Sequence, residues 1–185
     1  MSKPIAITVG DPAGIGPEVV LKTLLKNPQP RHPWVLVGAR WSLQCSAEAL
    51  GIALPAVDTI KAFNEASAAV SILEPADSAA PTDFCFGQVQ AACGDVAVRS
   101  IELAATGCLN SEVAAMVTAP INKDTIQSKD FEFSGHTDYL AKQLDGKSLM
   151  FMISETLKVA LVSDHIAVKE ISGILSTELL REKVN

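Results

Sequence analysis

Three histidines occur in the 185 residues, at positions 32, 136 and 165. Two of them stand where an apolar stretch gives way to a Gly or Asp turn: Ser134-Gly135-His136-Thr137-Asp138, and Asp164-His165 further along. An imidazole at such a mouth binds a divalent metal, hydrogen-bonds a phosphate, or moves a proton near neutral pH. A lone histidine is as often structural, so each position taken separately leaves both readings open.

Two other segments have the residue types for ligand chemistry. The turn Gly10-Asp11-Pro12-Ala13-Gly14-Ile15-Gly16 follows a strand-like run and precedes a helix. Its glycines fit neither the dinucleotide fingerprint nor a P-loop, and no Gly-Lys-Ser/Thr ending follows. Its backbone N–H groups can meet an anion at the helix start, or the glycines simply permit a tight strand-to-helix turn. Lys123, after Pro120, either neutralises a phosphate or carboxylate or is a solvated lysine at a helix start.

These groups need a scaffold, and the composition supplies one. Hydrophobic residues make up 48% and charged residues 19%, enough for a packed core and unlike a disordered chain. The formal charge is -6 and the pI about 5.0, without a run of Lys or Arg. Nucleic-acid binding is therefore not expected, because phosphate contacts need clustered cations. Cys45, Cys85, Cys93 and Cys108 show no metal-ribbon spacing and read as reduced, mostly buried thiols. No segment reaches the roughly 18 apolar residues of a membrane span, so no membrane partner and a cytoplasmic location are expected.

Along the chain, strands alternate with helices. Ile5 to Val9 reads as a buried strand, and Pro17-Glu18 opens a helix running to Lys26, with proline at the first position and an acid at the positive end. Trp34 to Val37 is a second strand, and Gly38 breaks it before a helix through Leu50. Weaker strands lie at Val57 to Ile60 and Ser71 to Leu73, and Ala76 to Phe86 reads as an exposed connection. Gly87 to Leu109 is helical, with Val89, Cys93, Val96, Ser100, Leu103 and Thr106 on one face. Val113 to Val117 is a strand; short helices follow Asn122 and the Gly135-His136-Thr137 turn. Leu149 to Ile153 and Leu157 to Val162 form a hairpin around Ser154-Glu155-Thr156, and Val168 to Asn185 is helical. This alternation predicts an α/β fold with a largely parallel sheet. Ligands gather at the carboxyl ends of such strands, where Gly10 to Gly16, Thr118 to Lys123 and Ser163 to His165 can line one crevice.

Four motifs carry a resemblance. Thr8-Val9-Gly10-Asp11-Pro12-Ala13-Gly14-Ile15-Gly16-Pro17-Glu18, Cys108-Leu109-Asn110, Thr118-Ala119-Pro120-Ile121-Asn122-Lys123 and Gly135-His136-Thr137 occur in this order. Together the chain resembles the 4-hydroxythreonine-4-phosphate dehydrogenase family of pyridoxal phosphate biosynthesis, over essentially its whole length. The resemblance implies an isocitrate/isopropylmalate dehydrogenase-like fold, two α/β lobes around a cleft, and a homodimer that completes each site. It implies NAD- or NADP-dependent oxidation of 4-phosphohydroxy-L-threonine, followed by decarboxylation to 3-amino-2-oxopropyl phosphate. A divalent metal (Zn, Mg, Co or Mn) would hold the hydroxyl oxygen and stabilise enolate charge. By resemblance His136 and Thr137 contact substrate and His165 ligates the metal. Asp138 stands where many relatives have Glu and receives no role. His32 has no counterpart and is expected to be structural or exposed.

Family members are nearly twice as long. Residues 1–134 are expected to form the N-terminal α/β lobe, and 135–185 the incomplete start of a second, cofactor- and metal-side lobe. The absent half would carry two further metal-ligating histidines, basic substrate contacts and most of the cofactor site. No residue here is assigned as catalytic, and cofactor contacts stay unassigned. Residues 1–185 alone are expected to be inactive, since catalytic metal sites usually take about three protein ligands. Two alternatives remain: a relative acting on phosphothreonate or phosphoerythronate, and a non-catalytic domain that binds a phosphorylated metabolite or dimerises.

Overall fold

The computed structural model describes residues 2–126, 136–143, 148–163 and 166–184, the side chain of Asp138 excepted. They divide into two compact units, Met1–Leu144 and Asp145–Asn185. The first is built on strands β1 (Ile5–Thr8), β2 (Trp34–Val37), β3 (Asp58–Ile60), β4 (Val70–Leu73) and β5 (Ala115–Thr118). They form one parallel sheet in the order β3-β4-β2-β1-β5. Helices α1 (Gly16–Lys26), α2 (Arg40–Leu50), α3 (Ala91–Leu109), α4 (Lys123–Ile126) and α5 (His136–Gln143) complete the unit.

Alternation along the strands creates the two layers. Leu36 and Ile72 face Val20, Leu21 and Leu24 of α1 and Leu43 and Ala47 of α2. Their neighbours Val35, Val37 and Leu73 point the opposite way, onto Ala104 of α3 and Phe63. Successive strand side chains alternate faces, so α1 and α2 lie on one side of the sheet and α3 on the other.

Cys93, Val96 and Ser100 of the expected α3 face are buried, but the two ends of that face depart from it. Val89 lies before the helix and is 61% exposed, and Thr106 is exposed while Ala97, Ile101, Ala104 and Ala105 are buried. The small residues decide this: they let α3 approach its neighbours more closely than a stripe of larger side chains would. The helix begins at Ala91, with Gln90 at its N-cap position and residues 87–90 in the preceding loop. The connection from Ala76 to Phe86 is tied down rather than loose: Trp41 Nε1 donates to the Ser78 carbonyl at 2.6 Å. Phe84 packs edge-on against both Trp41 and Phe86.

In the second unit, β6 (Phe151–Ile153) and β7 (Lys158–Ala160) form the expected antiparallel hairpin. The helical tail is broken, however, into a 3₁₀ turn at Val168–Glu170, α6 (Ile171–Ile174) and α7 (Thr177–Val184). Leu175 is extended, with ψ 113°, and the Ser176 hydroxyl accepts from the Leu179 N–H at 3.1 Å. Serine favours this N-cap role over a helix interior, so it restarts the helix instead of continuing it.

The four thiols are free, but only Cys93 is fully buried; Cys45 and Cys108 are half-buried and Cys85 is exposed. This corrects the expectation of mostly buried thiols. Burial, with the Asp11 carboxylate second, pushes the Cys93 thiol up to about 11. Native alkylation with iodoacetamide is therefore expected to label Cys85 and to spare Cys93 until the chain is unfolded. Mass spectrometry of the labelled peptides checks this, and prompt labelling of Cys93 would contradict its placement.

Candidate functional site

The sheet changes direction at β1. The chain first builds outward through β2 and then returns to place β5 on the other side of β1. After β1 it passes to α1 on one face. After β5 it passes to α4, which lies with α3 and α5 in the cluster of Ala97, Ile101, Ile126 and Tyr139. Two loops that diverge in this way leave a crevice at the carboxyl end of the sheet, the usual ligand position in open α/β folds. A cavity of about 190 Å³ lies there, lined by Asp11, Gly14, Ile15, Gln88, Ile121 and Asn122 among others. Two of the three segments expected to share a crevice are thus brought together. Of the third, Asp164 and His165 lie outside the described residues.

Direct bonds hold the loops to each other. The Asp11 N–H donates to the Pro120 carbonyl at 3.1 Å. The buried Asp11 carboxylate accepts from the Ala13 N–H at 2.9 Å and from the Thr125 hydroxyl at 3.2 Å. Gly87 N–H donates to the Ala13 carbonyl at 2.8 Å and brings in a third loop. Asn122 Oδ1 accepts from the Asp124 N–H at 2.9 Å, which starts α4 and leaves Lys123 exposed. The Gly14 N–H donates to the Asp11 carbonyl at 3.0 Å, and a Cβ at Gly16 would stand 2.3 Å from the Val9 carbonyl oxygen, so the glycines serve the tight strand-to-helix turn. The exposure of Lys123 accords with its solvated reading.

Sequence reasoning missed Asp11 as the organiser, together with Thr125 and Gly87. Their partners lie up to 114 positions away, and no local pattern announces such pairs. The Cys108-Leu109-Asn110 motif proves to be a helix end: the Asn110 N–H donates to the Thr106 carbonyl at 2.9 Å, and Leu109 faces solvent.

His136 and Thr137 open α5, which packs in the first unit through Tyr139 against Ala97 and Ile101. Ile121, which lines the crevice, borders the same cluster. Thr137 is exposed. His136 Nε2 is shielded from solvent and lacks a hydrogen-bond partner among the described residues, and burial lowers the imidazole pKa from its ordinary 6.5. The ring is thus neutral at pH 7 and offers one nitrogen as acceptor and one as donor. Tyr139 stays protonated, because burial and then the Glu102 carboxylate hold its hydroxyl above the ordinary range. His32 is exposed.

The lowered imidazole pKa makes stability depend on pH. Below about pH 6.5 the unfolded chain binds a proton that folded His136 resists, so this contribution is complete above that value and declines as pH falls toward the folded pKa. The expected result is a melting temperature that falls between about pH 7.5 and about pH 5.5, and falls less in His136→Gln. Equal slopes in the two proteins would remove His136 as the cause.

Among the described residues no group of three or more His, Cys, Asp or Glu side chains could hold a metal ion. The metal position expected at His165 lies outside them.

The sheet order, with its switch point at β1, defines an open α/β fold, the fold class of the dehydrogenase structures the chain matches. The family described as pyridoxal phosphate biosynthetic protein PdxA matches residues 30–185, and the chain belongs to it. It is 36% identical over 181 residues to D-threonate 4-phosphate dehydrogenase of Salmonella typhimurium, covering 95% of this chain and 55% of that one. It is 33% identical to 4-hydroxythreonine-4-phosphate dehydrogenase of Chromobacterium violaceum, covering 97% and 54%. The crystal structure of 4-hydroxythreonine-4-phosphate dehydrogenase from Klebsiella pneumoniae superposes with a TM-score of 0.84 at 32% identity, over 100% of this chain and 56% of that one. The chain spans about half the length of the curated relatives it matches.

Proposed function

We propose that the chain serves a dehydrogenase of phosphorylated hydroxy acids, with 4-phosphohydroxy-L-threonine as substrate and 3-amino-2-oxopropyl phosphate as product after loss of carbon dioxide. The supporting observation is similarity to dehydrogenases of such phosphates along nearly the whole chain, 32–37% identical. In this reading the protein works in the cytoplasm as a homodimer, with two lobes flanking the site. NAD or NADP would supply the hydride acceptor, and a divalent cation (Zn, Mg, Co or Mn) would supply Lewis-acid stabilisation of oxygen charge. His165 would be one ligand of that cation.

The roles of this chain's own residues follow from their environment. His136 is neutral and its Nε2 has no partner among the described residues, which suits it to hydrogen-bond a substrate oxygen without adding charge. The exposed Thr137 hydroxyl supplies a second bond from the same helix end. The knitted loops of Asp11, Gly87 and Pro120 provide a preformed floor, and a fixed floor limits the ordering cost of binding. In a protein of the relatives' full length, His136→Ala is expected to lower kcat/KM by roughly tenfold to a hundredfold, the worth of a hydrogen bond to a charged ligand. Metal content should not change; loss of metal in this variant would contradict a substrate role.

The relatives named D-threonate 4-phosphate dehydrogenase favour a second reading, in which the substrate is a phosphothreonate. Rates of NAD(P)H formation from each phosphate, with divalent metal added and intact mass measured on the same sample, decide between them. Reduction with neither substrate by a protein of the relatives' full length would overturn the proposal. The 185-residue chain by itself is expected to form no NAD(P)H, and turnover by it would overturn the view that residues of the other half are required.

A further inference from the structure

Helix α5 carries both residues given a substrate role, yet it has only eight residues. A helix that short does not hold itself in water, so its packing must fix it. Tyr139 is 3% exposed and lies with Ala97 and Ile101 of α3 and Ile126 of α4. Apolar contact of this kind is non-directional, so it holds α5 down without setting its rotation about its own axis. The Tyr139 hydroxyl adds a direction: it donates to the carboxylate of Glu102, which follows Ile101 on α3 and is exposed.

We infer that the Tyr139–Glu102 hydrogen bond sets the rotation of α5 and so holds the His136 imidazole in place, which makes both groups positioning residues for the substrate. Residues three apart on a helix share a face, so His136 stands one turn before Tyr139 on the side that meets α3. The His136 ring cannot hold itself: its Nε2 is shielded and has no partner among the described residues. A buried nitrogen in that state favours rotation of the helix toward water, and a hydrogen bond to a charged group is of about the strength needed to oppose it. The positioning role rests on the substrate role proposed for His136, whereas the placement of the ring can be read without turnover.

Diethyl pyrocarbonate acylates the neutral imidazole, and mass spectrometry of the 185-residue chain reads its rate at each histidine. His136 is expected to react at least about tenfold more slowly than the exposed His32. Glu102→Ala and Tyr139→Phe should each raise the His136 rate about tenfold, and the two together no further. Glu102→Gln, whose carboxamide oxygen still accepts from the hydroxyl, should keep the parent rate. Cys93 should stay resistant to iodoacetamide in every variant, which separates rotation of α5 from general loosening. Because Glu102 is exposed, its replacement spares the core even if Tyr139→Phe does not. Undiminished kcat/KM in His136→Ala, in a protein of the relatives' full length, would overturn the positioning role together with the substrate role. An unchanged His136 rate in Glu102→Ala, a Glu102→Gln variant as fast as Glu102→Ala, or Cys93 labelling in step with His136 would overturn the latch alone.

Discussion

Gly94→Ala is expected to lower stability by about 2 kcal/mol or more, the reverse of what the substitution does in an exposed helix. In solvent, alanine gains about 1 kcal/mol over glycine inside a helix. At Gly94 a Cβ would stand 1.9 Å from the Thr125 carbonyl oxygen and 2.6 Å from its carbon. Both are backbone atoms, so no rotamer change relieves the contact, and α3 and α4 must separate. Overpacking of a well-filled core typically costs about 1–3 kcal/mol, and a rigid neighbour places this case at or above the top of that range. Separation also pulls Thr125 away from Asp11. The urea midpoint measures the loss; a midpoint equal to or above that of the parent would show that the two helices are not so closely packed.

Gly10→Ala should disrupt the crevice itself. Gly10 has φ +80°, and a Cβ would lie 2.3 Å from the Pro120 carbonyl oxygen, the acceptor of the Asp11 N–H. The left-handed conformation alone costs a non-glycine residue roughly 1 kcal/mol. The displaced carbonyl adds the loss of a buried hydrogen bond, about 1 kcal/mol, and steric strain of on the order of 1–3 kcal/mol. Gly51→Ala isolates the first contribution, because Gly51 has φ +65° with open space around it. Gly10→Ala should therefore destabilise by about 3 kcal/mol or more and Gly51→Ala by about 1 kcal/mol. Hydrogen exchange at the Asp11 amide should accelerate only in the first. Equal losses in the two variants would mean that the loops yield without strain.

The parts of this fold legible in the sequence are those with a local cause. Trp34–Val37 is four consecutive strand formers, and it is a strand at those residues. Pro17-Glu18 marks the start of α1 because proline and an acid suit that end, and the helix begins one residue earlier. The hairpin is visible in two apolar runs around Ser154-Glu155-Thr156. Tertiary contacts decide what a local reading misses. Val89 continues the helical period yet lies outside α3, and Gly94, unremarkable in a helix, is where α3 meets the α4 backbone. At the candidate site, His136 is recognisable from its motif, whereas Asp11 reads as one residue of a glycine turn. Its importance comes from Thr125, which no spacing rule connects to it.

The placement of β5 beside β1 fixes when the crevice can come into being during synthesis. The Asp11–Thr125 bond spans 114 positions, so the floor stays open until the ribosome has released α4. Until then β1 offers one unpaired edge while β2, α1 and α2 are already able to collapse around its other side. Long-range parallel pairing of this kind forms slowly, because loop closure precedes its reward. The nascent chain therefore passes through an interval with an apolar strand edge exposed, the state most open to wrong pairing. Arrival of Ala115–Thr118 ends that interval, and release of α4 directly behind it closes the crevice floor through Thr125.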